Sequence, residues 1–440
     1  MKEWIEDTPV IIEEARDCFI KDIYGRWYLD GVSSLWVNVH GHNHKDINER
    51  LKAQIDRLAH STLLGLSNVP AIELAHRLVK LLSDNLPVDA ASLNKVFYSD
   101  NGSTAVEVAL KMAFGYWRHR GVATRDSFIC LNNAYHGDTI GAVSVGGVDI
   151  FHALYAPLLF KVHKSPSPYC YRCELGLSRD DCEMQCLKEM ESILSARSQE
   201  IAAVIVEPMI QAAGGMIVFP DGFLSSVRDL CHRYDTLLIA DEVAAGFGRT
   251  GRMFACQHED VIPDIICLSK GLTGGYMPLA ATVASQRIFN AFLGDFKELK
   301  TLFHGHSYTG NPLGCACALA CLDVFEKEDT IASLQPKVGF LTRWLKDVAN
   351  KHPHVGQARG IGLMAGVELV RDRSSRAAYD YGQKVGWQVA LKARQRGVFI
   401  RPLGNVIVIM PPLAINIDNL NTMLSIIEEA IVEVTDKAVD

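Results

Sequence analysis

The residue around which this sequence can do chemistry is a lone amine. The apolar run Ile265-Ile266-Cys267-Leu268 is followed by Ser269, Lys270 and then Gly271-Leu272-Thr273-Gly274-Gly275. A short apolar run closed by glycines reads as a buried strand ending in a tight turn, which places Lys270 at the mouth of a sheet. Partial burial there disfavours the ammonium form, and a neutral amine can condense with a carbonyl. Taken alone, Lys270 reads as an ordinary surface lysine after a strand. A second apolar run changes that reading: Leu237-Leu238-Ile239-Ala240 ends in Asp241. A third, Ala202-Ala203-Val204-Ile205-Val206, ends in Glu207.

Two further stretches add polar turns at strand ends. Lys95-Val96-Phe97-Tyr98-Ser99 is a short strand, followed by Asp100-Asn101-Gly102-Ser103-Thr104 and a strong helix former over 105–117. A Gly-Ser-Thr turn at a helix N-terminus offers free N–H groups, the positive end of the helix dipole and two hydroxyls to an anion. The plainer alternative is an N-cap by Ser103 or Thr104. Phe128-Ile129-Cys130-Leu131 leads into Asn133-Ala134-Tyr135-His136-Gly137-Asp138-Thr139, where Tyr135 is either a ring-stacking platform at the sheet edge or a core aromatic. His40, His42 and His44 alternate in a Gly- and Asn-rich loop. Without a neighbouring carboxylate or cysteine they are not assigned to a metal.

The elements that must hold these residues alternate strand with helix, which implies a mostly parallel sheet whose ligands bind beyond the strand C-termini. Gly102, Tyr135, Glu207, Asp241 and Lys270 all fall at such ends. Helical periodicity over 46–59 and 71–82 precedes this unit, and residues 10–30 read as a small antiparallel hairpin. From about residue 329 the pattern shifts to a compact α+β unit: helices over 334–351 and 379–396, strands over 362–369, 398–400 and 406–410, and a final helix from Asp418.

The 440 residues allow two or three domains. Apolar residues at 48% and charged residues at 22% are ordinary for a soluble globular chain. A net charge of -7 argues against nucleic acid or an anionic membrane as partner. No run reaches the roughly 18 apolar residues of a membrane span, and Met1-Lys2-Glu3-Trp4-Ile5-Glu6 lacks the apolar stretch of a signal peptide. Many of the 12 cysteines sit inside apolar runs, as buried thiols do in a reducing compartment. The expectation is a cytoplasmic enzyme. One excursion stands out. Cys170, Cys173, Cys182 and Cys186 are spaced Cys-x2-Cys-x8-Cys-x3-Cys, which superficially resembles a structural zinc site. The middle spacing is shorter than usual, so free thiols in a surface excursion are the favoured reading.

An amine, a carboxylate, an anion cradle and a stacking ring together suit an aldehyde cofactor with a phosphate and a pyridine ring, pyridoxal 5'-phosphate. Asp241 would keep the ring nitrogen protonated so that the ring draws in electrons. Lys270 would attach covalently and later carry a proton between carbon atoms. Gly102 and Ser103 would hold the phosphate, and Tyr135 would cover the ring.

Leu238-Ile239-Ala240-Asp241-Glu242-Val243, Gly246-Phe247-Gly248-Arg249-Thr250-Gly251, Pro263-Asp264 and Ser269-Lys270-Gly271 resemble the signature of class III aminotransferases of fold type I. The likeness runs over essentially the whole chain. It implies an α/β fold with a mostly parallel seven-stranded sheet in a large domain, 46–328. A small α+β domain would be formed from the N-terminal segment, 1–45, and the C-terminal part, 329–440. It also implies a homodimer with shared active sites. Ser33-Ser34-Leu35-Trp36, Asn38-Val39-His40-Gly41, His60-Ser61-Thr62, Tyr135-His136-Gly137-Asp138-Thr139, His304-Gly305 and Arg401-Pro402 are similar to a narrower branch. That branch serves biotin biosynthesis, transferring an amino group to 8-amino-7-oxononanoate. The resemblance implies that Trp36 and Tyr135 line the slot for the aliphatic substrate and that Arg401 binds its carboxylate. Gly305 would touch substrate, and His306 and Ser307 the cofactor phosphate, from the partner subunit. It leaves Arg249 either near the donor or in a loop-stabilising ion pair, and the donor either S-adenosylmethionine or lysine. Such proteins usually begin with a further Trp-x-Pro-Phe-type segment over the active site, so a chain opening at Met1-Lys2-Glu3-Trp4 carries the expectation of an incomplete cover. Another class III ω-aminotransferase, a pyridoxal racemase or decarboxylase, and a catalytically silent binding protein on the same fold are the rival readings.

Overall fold

The central sheet has seven strands in the order Leu93–Ser99, Ala280–Ser285, Ile265–Leu268, Leu237–Asp241, Ile201–Val206, Ser127–Leu131, His163–Ser165. The computed structural model describes residues 9–437, so the opening around Trp4 lies outside the described residues. Ala280–Ser285 runs antiparallel to both of its neighbours, while the other pairings are parallel. That strand escapes a reading by propensity because Ala-Ala-Thr-Val-Ala-Ser is poor in the β-branched and aromatic residues that mark strands. The central strands are buried along their whole length. Alternate residues feed two cores: Leu237, Ile239 and Ile265 pack on one face, and Leu238, Ala240, Ile266 and Leu268 on the other. Continuous apolar runs are what such doubly covered strands require. Register sets the site, since Asp241 pairs with Cys267 and Ala240 with Val206. Glu207, Asp241 and Lys270 therefore emerge at one end.

Chain ends meet in the smaller unit. Ile12–Arg16, Phe19–Asp22 and Trp27–Asp30 form an antiparallel meander, one strand more than a hairpin, and Val398–Phe399 adds in parallel to the last of them. A second sheet joins Val355–Ile361, Met364–Asp372, Val406–Ile409 and Pro402–Leu403, with Ala377–Ala378 on the side. The fold is thus α/β, with a large, mostly parallel sheet and a small α+β unit built from both ends of the chain. The helix expected over 379–396 starts at Val385, after a 3-10 turn at Tyr381–Gln383 capped by Asp380. Among the described residues no helix is long and apolar enough to cross a membrane.

The alternating histidines have separate partners. His40 is buried against the Phe325 ring at 4.4 Å, His42 Nε2 lies 2.9 Å from Asp30 Oδ2, and His44 Nε2 lies 3.0 Å from Glu328 Oε1. Arg249 is fully buried and donates to the carbonyls of Pro411 and Asn38, both at 2.7 Å. It ties two loops through carbonyl oxygens rather than through an ion pair.

Candidate active site

A cavity of about 960 Å3 opens at the C-terminal end of the sheet, lined by Trp36, Gly102, Tyr135, Asp241, Lys270 and Arg401 among others. Lys270 sits on the 3-10 turn that follows strand Ile265–Leu268, in the left-handed region at φ 45°. Its Nζ lies 5.1 Å from the centroid of the Trp36 ring. Burial lowers its pKa from the ordinary lysine value, against the pull of the Asp241 and Glu207 carboxylates.

Trp36 reaches that position through an unusual backbone. Ser33, Ser34, Leu35 and Trp36 all have positive φ, between 48° and 71°, forming one left-handed turn. Non-glycine residues adopt this conformation at a cost of about 1 kcal/mol or more each, so neighbours must hold it. Asp30, itself buried, accepts from the Ser34 N–H at 3.0 Å and the Ser34 hydroxyl at 2.7 Å, and Ser33 Oγ donates to the Met410 carbonyl at 2.6 Å. The sequence reads here only as a polar loop. Its rigidity depends on Met410, which is remote in the chain.

Asp241 is buried, with both oxygens engaged. Oδ1 accepts from the Val243 N–H at 3.0 Å, and Oδ2 faces His136 Nδ1 at 2.7 Å. The carboxylate also lines the cavity. Burial works against a charged His136, but the Asp241 hydrogen bond and charge outweigh it and raise the imidazole pKa. Glu207 holds the Tyr135 loop, accepting from the Tyr135 N–H at 3.0 Å and the Ala212 N–H at 3.0 Å. Burial pushes its carboxyl up to about 7. Tyr135 is half-buried, donates to Asp138 Oδ2 at 2.9 Å and stacks on His152 at 6.4 Å between centroids. It is therefore neither a free surface ring nor a plain core aromatic. His136 was missed as a functional residue, because its pairing with Asp241 spans 105 positions and leaves no periodic signal.

The anion cradle has a cap of its own. Asn101 is the N-cap of helix Gly102–His119, and its side chain accepts from the Thr104 N–H at 3.0 Å while Thr104 Oγ1 accepts from the Asn101 N–H at 3.2 Å. Capping by Asn101 rather than by Ser103 or Thr104 leaves the N–H groups of Gly102 and Ser103 at the helix start for another acceptor. Ser103 Oγ lies 2.7 Å from Thr139 Oγ1 and accepts from the Thr139 N–H at 3.0 Å. A Cβ on Gly102 would stand 2.4 Å from Val243 Cγ1, and one on Gly137 would stand 2.4 Å from the Ser103 side chain. Glycine at both places keeps the cradle open.

Arg401 is exposed at the rim of the same cavity. Gly305, His306 and Ser307 do not line it. They belong to an exposed loop, where His306 Nδ1 is 3.5 Å from Asp100 Oδ2.

Comparison with known proteins decides the family. The profile described as aminotransferase class-III matches residues 1–431. This chain belongs to the class-III aminotransferases. Among relatives of this aminotransferase, one from Geobacter sulfurreducens named adenosylmethionine-8-amino-7-oxononanoate aminotransferase is 54% identical, covering 99% of this chain and 94% of the relative. The crystal structure of the enzyme of that name from Methanocaldococcus jannaschii is 46% identical, with a TM-score of 0.92 over 98% of this chain and 95% of that one. An amine transaminase from an uncultivated Pseudomonas species, solved in its PLP-bound form, is 36% identical with a TM-score of 0.92 over 98% of this chain and 96% of that one.

Class-III aminotransferases work with pyridoxal phosphate, and the donor set here fits it. Lys270 offers the amine, Asp241 a fixed carboxylate, and Gly102 and Ser103 a cradle that a Cβ would fill.

Proposed function

We propose that this aminotransferase moves an amino group onto the ketone of 8-amino-7-oxononanoate, giving 7,8-diaminononanoate for biotin biosynthesis, with S-adenosylmethionine or lysine as donor. The observation that carries the reading is one cavity holding an amine, an apolar slot and a cation. Lys270 Nζ stands over the Trp36 ring, Tyr135 forms part of the same wall, and Arg401 stands at the rim. A substrate with a ketone, an aliphatic chain and a terminal carboxylate matches that arrangement. The close likeness to relatives of that name supports the same substrate.

Each residue has a role in this proposal. When bound, the cofactor supplies an aldehyde carbon for the amino group and a ring that takes up electron density. Asp241 keeps a ring nitrogen protonated, with its orientation fixed by Val243 and His136. Lys270 Nζ takes a proton from one carbon and returns it to another, aided by a pKa below the free lysine value. Gly102 and Ser103 bind the phosphate through N–H groups. Tyr135, held by Glu207 and Asp138, flanks the reacting atoms, and Trp36 packs along the aliphatic chain and excludes water. Arg401 pairs with the carboxylate through its two-pronged guanidinium.

Purified enzyme given 8-amino-7-oxononanoate should form 7,8-diaminononanoate with one of the two donors and not the other. Turnover of a different amine and ketone pair, with neither donor serving this acceptor, would replace the reading by another ω-aminotransferase. Arg401→Ala should raise KM for the acceptor by about 10- to 100-fold, the range for one charge-assisted hydrogen bond, with kcat little changed. Initial rates at varied acceptor check this, and an unchanged KM would move the carboxylate elsewhere.

The assembly proposed is a cytoplasmic homodimer in which Gly305, His306 and Ser307 of one chain complete the site of the other. Its support is an exposed surface built from two packed loops. Phe303, Tyr308 and Leu64 are exposed large apolar residues, and His60 lies 5.1 Å from Tyr308 between rings. Ser307→Asp would bring negative charge to the phosphate and silence its own homodimer. Mixed with Lys270→Ala chains, it should regain about a quarter of wild-type activity, because one site in each mixed dimer has both residues intact. No recovery after verified subunit exchange would place Ser307 in its own chain's site.

A further inference from the structure

The cysteine-rich excursion takes no part in the chemistry above, yet its four thiols are gathered. Cys170, Cys173, Cys182 and Cys186 all line one cavity of about 20 Å3, and all four are free. The other cysteines of the chain are all buried, and several sit in the apolar cores as small side chains. Among these four, Cys170, Cys173 and Cys182 are only partly buried. They are therefore not explained as core filling. The stretch that carries them has little regular structure. Ahead of helix Gln185–Arg197 its regular structure is one 3-10 turn, Cys170–Arg172. Leu175 and Met184 pack against the main core, and a bound metal would add to that anchoring.

This stretch ties the site to the small unit. Arg172 Nε donates to Glu368, which also accepts from Arg359 Nη1 at 2.7 Å, and Arg376 Nη1 donates to the Tyr171 carbonyl at 2.6 Å. On the other side Glu174 accepts from Asn132 Nδ2 at 2.6 Å, three residues before Tyr135. Loosening the excursion would loosen both attachments.

We propose that Cys170, Cys173, Cys182 and Cys186 bind one zinc ion as a structural four-thiolate site that staples this excursion. The donor set is all sulfur, which selects zinc, copper(I) or iron–sulfur clusters among biological metals. Of these, zinc is the ion that four-thiolate sets hold in closed structural sites. As the chain stands, among the described residues no group of three or more His, Cys, Asp or Glu is arranged to hold a metal. Binding must draw the four sulfurs together around the ion from the walls of the cavity that all four line. Each thiol gives up its proton to solvent on binding, and no oxidant or reductant takes part. The proposal reverses the balance read from spacing, because the four thiols share one cavity.

The test is elemental analysis of the full-length, cofactor-loaded protein, purified without a polyhistidine tag from zinc-supplemented cells. About one zinc per chain is expected, released as the four thiols are titrated with an organomercurial. Cobalt(II) in its place should give an intense thiolate-to-metal charge-transfer band. The double variant Cys170→Ser/Cys182→Ser should lose the metal. Should that variant fail to fold, the wild-type stoichiometry and cobalt spectrum still decide. Less than about half an equivalent of zinc, iron in its place, a disulfide among the four, or full zinc retention by a folded double variant would overturn the proposal.

Discussion

Lys270→Ala should stop transamination, lowering kcat on the order of 10^4-fold or more, because one substitution removes both the reacting amine and the proton carrier. The two roles fall on one atom. Lys270 Nζ stands over the Trp36 ring at 5.1 Å in the cavity that Asp241 also lines, and among the described residues no other lysine lines that cavity. Alanine, lysine and arginine carry the same Cβ at the φ of 45° found here, and Lys270→Arg is the companion variant because it also keeps the length and charge. It keeps a long cation but no reactive amine. Both variants should lose the visible-edge absorbance of the cofactor-loaded enzyme while circular dichroism stays native. Activity above about one-hundredth of wild type in either would contradict the assignment.

The second large effect is at Asp241. Asp241→Asn is nearly isosteric and preserves an acceptor for the Val243 N–H, now held at 3.0 Å. It removes the negative charge that would keep the ring nitrogen protonated, and it weakens the partner of His136 Nδ1, now 2.7 Å away. Charge stabilisation of this kind is worth about 10^2- to 10^3-fold in kcat when one group is lost. We therefore expect kcat to fall in that range with the cofactor still bound, as absorbance and equilibrium dialysis would report. The carboxylate also sustains the raised pKa of His136, so the imidazole should titrate at lower pH in the variant. A loss under tenfold would mean that Asp241 is a structural strand end and not the cofactor's counterion.

Much of this site was legible because its residues end strands. Lys270, Asp241 and Glu207 each follow an uninterrupted apolar run, and a parallel sheet delivers such ends to one place whatever separates them in sequence. The cradle was legible as strand, turn and helix, although the cap fell to Asn101, whose side chain the sequence could not orient. Pairings between distant residues were not legible. His136 with Asp241 and Arg249 with Pro411 depend on tertiary register, which no local pattern encodes. The left-handed turn that presents Trp36 was equally hidden, because ordinary L-residues were held in positive φ by Asp30 and Met410. The strand Ala280–Ser285 escaped because burial on both faces, and not propensity, makes it a strand.

The most direct test is chemical. Cofactor-loaded enzyme should be reduced with borohydride, digested and mapped by mass spectrometry. A phosphopyridoxyl group is expected on the peptide containing Lys270 and on no other lysine. The label on a different lysine, or none on an enzyme that still turns over, would contradict it.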